Sequence, residues 1–94
     1  METTEGIGIG QVVRSKAGRD KNKFFVVINV IDDRYVLLVD GDMRKLDTPK
    51  KKKIKHLVVY NYRIEELRQR LEKKIKINNA FIRKMLSAVE SKLQ

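Results

Sequence analysis

The stretch Gly10-Gln11-Val12-Val13-Arg14-Ser15-Lys16-Ala17-Gly18-Arg19-Asp20 decides how the chain is read. Val12 and Val13 make a short apolar strand core, and a second apolar run begins at Phe24. Between them lies a loop carrying Ser15, Lys16, Gly18, Arg19, Lys21 and Lys23. Gly18 can take a positive φ without a Cβ clash, so the loop can turn sharply and bring its backbone close to a partner. A tight, basic, glycine-centred loop between two strands suits a phosphate backbone. It is a poor place for bond-breaking chemistry.

Outward from this loop, strand signals rich in Val, Ile, Phe and Tyr cover Gln11–Arg14, Phe24–Ile31, Tyr35–Asp40, Met43–Leu46 and His56–Tyr60. Asp32-Asp33 and Asp40-Gly41-Asp42 are turn signals, and the Asp-Gly pair predicts a tight hairpin joining Tyr35–Val39 to Met43–Leu46. Short strands with tight turns over about 50 residues describe a small barrel or half-open roll, which the pattern alone does not separate from an OB-type barrel. The period then changes. Ile64, Leu67, Leu71 and Ile75 mark one helical face, with Asn61 as the expected N-cap, Glu65 and Glu66 in the first turn, and Glu66–Arg70 as an i,i+4 pair. A second helix is expected to start after Asn78 or Asn79 and to carry Phe81, Ile82, Met85, Leu86, Val89 and Leu93 on one stripe. Neither helix hides its stripe alone, so the pair should pack on each other, on the strands or on a partner. The expected organisation is a flexible lead over residues 1–9, a strand domain over 10–60 and a helical pair over 61–94, an α+β chain.

The segment Gly10-Gln-Val-Val-Arg-Ser-Lys-Ala-Gly-Arg-Asp-Lys resembles the KOW motif, in which alternating apolar and polar residues lead to a glycine, here Gly18. Through Phe24-Phe25-Val26-Val27, Val39-Asp40-Gly41, Arg44-Lys45 and Pro49 to Leu57, the chain is similar to the "fourteen-e" family of large-subunit ribosomal proteins and its bacterial KOW relatives. The resemblance covers residues 10 to about 57. It implies an SH3-like barrel that binds RNA, usually ribosomal RNA, with the large ribosomal subunit as the expected partner. KOW domains also resemble modules that dock on proteins of the transcription and translation machinery, so a protein-interaction adaptor is the alternative.

Composition agrees with a polyanion partner. The chain has 94 residues, enough for one small domain with an appendage, and a formal net charge of +10. The loop residues Lys16, Gly18, Arg19, Lys21 and Lys23 form one candidate RNA contact. Lys50, Lys51, Lys52, Lys53 and Lys55 form another, expected as an extended solvated loop after Pro49, and Arg44 and Lys45 lie along the same edge in this reading. Asp20 is expected to bond loop amides or to orient Arg19 or Lys21, since a carboxylate beside phosphate is repulsive. His56 is read first as a packed or half-exposed structural residue at a strand edge and second as a phosphate donor or a base-stacking contact. Phe24 and Phe25 point to opposite faces, so one is core and the other packs under a helix or faces RNA. With so few aromatics, readout of RNA shape and backbone is expected over base sequence.

Other chemistries find little here. Without cysteine there is no disulfide, thiolate nucleophile or cysteine-bound zinc. No His/Asp/Glu set has metal-ligand spacing, and His56 has no evident nucleophile partner, so no enzyme activity, metal or cofactor is expected. Gly6-Ile7-Gly8-Ile9-Gly10 lacks the strand, helix and lysine of a phosphate-binding loop. The acidic start Met1-Glu2-Thr3-Thr4-Glu5 has no apolar signal region, and no apolar run approaches the ~20 residues needed to span a bilayer, so a cytoplasmic protein is expected.

Overall fold

Val12, Val13 and the run from Phe24 to Val27 are apolar without alternation, the pattern of strands buried on both faces. In the computed structural model, which describes residues 3–93, they form the centre of one antiparallel sheet of five strands. The strands are β1 (Gln11–Ser15), β2 (Phe24–Val30), β3 (Tyr35–Val39), β4 (Lys50–Lys53) and β5 (Leu57–Arg63), in the order β4-β3-β2-β1-β5. Two helices follow, α1 (Glu65–Glu72) and α2 (Asn79–Leu93). The edge strands β4 and β5 are consecutive in sequence and joined by a 3-10 turn of three residues, Ile54–His56, so the two sheet edges approach each other there. The β1–β5 and β2–β3 pairings each carry a register shift, where an antiparallel strand bends locally.

Each sheet face buries its own core. Val12, Phe24, Val26 and Val39 pack beneath Ile64, Leu67, Ile82, Leu86 and Val89 from the helical region. Val13, Phe25, Val27, Val36 and Leu38 pack on the other face with Ile54 and Leu57. Phe24 therefore lies under the helices, where it stacks on Tyr60 at 5.4 Å, and Phe25 is inner core. Neither faces a nucleic acid. The helix stripes are likewise spent on the sheet.

Several expectations need correction. Met43–Leu46 is a turn and not a strand, because Asp40 Oδ1 accepts from the amides of Asp42 and Arg44 (2.9 and 2.8 Å) and curls the chain. The partner of β3 is instead the lysine run. Lys50–Lys53 is strand β4 rather than a solvated loop, since β3 needs a hydrogen-bonding neighbour and an edge strand tolerates lysines. Asn61 sits inside β5, and the residue at the N-cap of α1 is Ile64, whose side chain enters the core. Helix α1 stops at Glu72, so Ile75 leaves the expected stripe and is 49% exposed. Lys74 takes the left-handed position (φ 57°), with Lys74 N donating to Leu71 O and Ile75 N to Arg70 O, a Schellman-type end. For α2, Asn78 caps as expected, its Oδ1 accepting from Phe81 N at 2.8 Å.

The lead is tied down where it is described. Thr4 is buried, its amide donates to Asp33 O and its hydroxyl to Asp32 O, and Ile7 packs on the inner core. Met1 and Glu2, which belong to that expected lead, lie outside the described residues, as does Gln94.

Candidate nucleic-acid interface

A strand has a side-chain period of two, and this divides the lysine run. Register pairs Lys50 with Leu38 and Lys52 with Val36, both residues of the inner core, so these two lysines share that face. Lys51 and Lys53 pair with Leu37 and Tyr35 and belong to the opposite face. The ammonium of Lys51 accordingly lies over the Tyr35 ring, 4.6 Å from its centroid. Four consecutive cations therefore do not act as one array.

Lys52 reaches the glycine loop. Its Nζ donates to Ala17 O at 3.3 Å, and a Cβ added to Gly18 would lie 3.7 Å from the same ammonium. Gly18 has φ 77°, and the loop closes on itself through Asn22 N to Ser15 O and Lys23 N to Asp20 O. The turn between β4 and β5 joins it, since Lys16 N donates to His56 O at 2.8 Å. Lys16, Gly18, Lys52 and His56 thus meet at one place, with Lys16, Gly18 and His56 exposed, and Arg19 and Lys21 extend it as exposed residues of the same loop.

The remaining expected residues fall elsewhere. Lys53 and Lys55 line a cavity of about 320 Å³ with Thr3, Asp33 and Arg34. Arg34, exposed in the β2–β3 turn, is a cation that the sequence reading passed over; the Asp32-Asp33 turn signal beside it was the available clue. Lys23 turns toward the β3–β4 connection, its Nζ donating to Met43 Sδ at 2.7 Å. Lys45 is exposed in that connection, whose next residue, Leu46, donates its amide to Asn79 Oδ1 of α2.

Arg44 is the clearest correction among the expected contacts. Its guanidinium pairs with Asp20 at 3.0 Å, and the Asp20 side chain is 5% exposed. The Asp20 carboxylate bonds neither its own loop's amides nor Arg19 or Lys21 among the described residues; it ties the β1–β2 loop to the β3–β4 connection. No periodicity announces a pair 24 positions apart.

The helix α1 arginines are also committed. Arg68 bridges Glu65 and Glu72, at 2.8 and 2.6 Å, and both acids raise its pKa further, Glu65 first through its hydrogen bond. Arg70 pairs with Glu66 as the spacing predicted and lies over the Phe81 ring at 4.4 Å. Exposed cations outside these ion pairs lie on the β1–β2 loop and the turn after β4, and also at Lys73, Lys74 and Lys76 beyond the end of α1 and at Lys84 of α2. No helix among the described residues is long and apolar enough to cross a membrane. Compared with protein-family models and with curated proteins, the chain matches none.

Proposed function

We propose that the protein binds structured RNA, most simply ribosomal RNA, through the β1–β2 loop and the adjoining face of β4, and that its sheet is an SH3-like barrel of the KOW kind. The observation that carries the reading is the meeting of Lys52 with the Gly18 loop, beside the backbone bond from Lys16 to His56. It brings cations from two distant segments to one exposed place with a glycine backbone between them, the arrangement that counterion release rewards. The barrel is supported by the sheet order and by the single 3-10 turn joining the two edge strands. The two interior positions of Phe24 and Phe25 support backbone and shape readout over base stacking.

Lys16, Arg19, Lys21, Lys50 and Lys52 are the residues that neutralise phosphates in this reading. Five contacts give a slope of about −3.5 for log K against log salt on the single-strand scaling. Fluorescence anisotropy of a labelled hairpin RNA across a salt series measures it. Salt-independent affinity, or no binding at low salt, removes the mechanism. Partners that survive ribonuclease treatment in a pull-down would instead favour the adaptor.

A further inference from the structure

Asp20 is a carboxylate in the middle of a basic loop, between Arg19 and Lys21. Electrostatically it opposes the very ligand that the loop is proposed to hold. It is nevertheless buried, 3% exposed as a residue, and joined to Arg44 by one hydrogen bond of 3.0 Å. The second carboxylate oxygen of Asp20 and Nε of Arg44 are buried with no hydrogen-bond partner. A pair so incompletely satisfied is a weak source of stability, and its attested use is to hold one geometry against others.

The far end of the pair is itself anchored. Arg44 N donates to Asp40 Oδ1, and the amides of Asp40 and Gly41 donate to Arg44 O at 2.9 and 3.1 Å. That turn is docked on α2, where Arg83 Nη1 donates to Gly41 O at 2.6 Å and Asn79 Oδ1 accepts from Leu46 N at 2.9 Å. Gly41 sits so close that an added Cβ would collide with Asn79 O. A continuous chain of contacts therefore runs from the first turns of α2 to the basic loop.

We propose that this chain is a brace: α2 fixes the turn around Gly41 through Arg83 and Asn79, Arg44 then holds Asp20, and Asp20 sets the conformation in which the basic loop grips phosphate. The proposal rests on the RNA-binding reading of that loop. In it Asp20, Arg44 and Arg83 are positioning residues that touch no RNA.

The sign of one substitution separates positioning from charge. Asp20→Ala removes a negative charge from a chain of net charge +10, so electrostatics alone predicts tighter RNA binding. The brace predicts binding weaker by about fivefold, within the range that changes remote from a ligand produce, with the salt slope unchanged. Arg83→Met should weaken binding in the same way and leave the slope alone, whereas loss of a phosphate contact would flatten it by about 0.7. Amide exchange gives a readout independent of RNA: protection of Asn22 and Lys23 should fall in both variants. Tighter or equal RNA binding by Asp20→Ala, or unchanged protection at those amides, overturns the brace. If Asp20→Ala does not fold by circular dichroism, Arg83→Met decides alone. If the unaltered protein binds no RNA, the functional reading fails and amide exchange alone decides the brace.

Discussion

Gly41 illustrates how a single position joins local conformation to long-range packing. Its φ of 79° favours glycine, and the space where a Cβ would stand is filled by Asn79 O and Arg83 of α2. Gly41→Ala therefore meets strain and collision together, and should cost about 2–6 kcal/mol in chemical denaturation, from strain of ~1–3 and overpacking of similar size. The Asp40-Gly41 dipeptide was readable as a turn; the helix waiting against it was not. Asp32 is a second case. Its Oδ1 accepts from the amides of Arg34 and Tyr35, at 2.8 and 2.9 Å. Its pKa is lowered chiefly by the Arg34 amide, helped by the Tyr35 amide and the charges of Lys51 and Arg34, against desolvation that works the other way. A folded pKa below the unfolded one means that the turn's stabilisation is complete above the ordinary carboxylate value and is lost as pH falls through the lowered one. The Arg34 and Tyr35 amide resonances should titrate together with a midpoint below that of a free aspartate. A midpoint at or above it would refute the hydrogen-bonded turn.

At the scale of elements, β4 carries the main lesson. Lysine is depleted in strands, so a Lys50–Lys53 run after proline reads as solvated loop. Pairing with β3 and the burial of Ile54 and Leu57 immediately after it override that preference. Strand geometry then assigns alternate lysines to different faces, which gives a direct prediction. The pair Lys50→Ala with Lys52→Ala should weaken RNA binding and reduce the salt slope by about 1.4, twice the single-phosphate value. Lys51→Ala with Lys53→Ala, an identical change in net charge, should leave the slope nearly untouched. Equal effects from the two pairs would mean that total charge and not strand face governs binding. The helices show the converse. Ile82, Leu86 and Val89 are buried as their spacing indicates, and Glu66–Arg70 forms as expected. The end of α1 was not legible, because Lys74 occupies a left-handed position that glycine more often marks.

Over the whole molecule, the sheet is the partition between two cores, and the helices are the lid of one. Val12, Phe24, Val26 and Val39 are covered by Ile64, Leu67 and the α2 stripe, with Tyr60 and Tyr62 of β5 packed beside them. A small domain buries only ~60% of its unfolded surface, so it has little reserve for a bare apolar face. A fragment ending at residue 63 should therefore lose cooperative thermal unfolding and associate in solution, as seen by circular dichroism and gel filtration. A fragment that melts like the full chain would show that the strand region is an independent domain and that the helices are an appendage. The basic surface is tied to the same architecture, because Asp20–Arg44 and Arg83–Gly41 link the β1–β2 loop to α2 through the turn around Gly41.

From residue order alone came the α+β division, the positions of β1, β2, β3 and most of β5, the stripe of α2 and the excess of positive charge. These are local periodicities and sums, and neither needs to know what lies across the fold. Tertiary structure alone decided that the lysine run is a strand, that its cations separate onto two faces, and that Arg44 belongs to Asp20 and not to solvent. Each of those outcomes is a contact between segments far apart in the chain, set by which backbone groups needed partners and which side chains could be buried together.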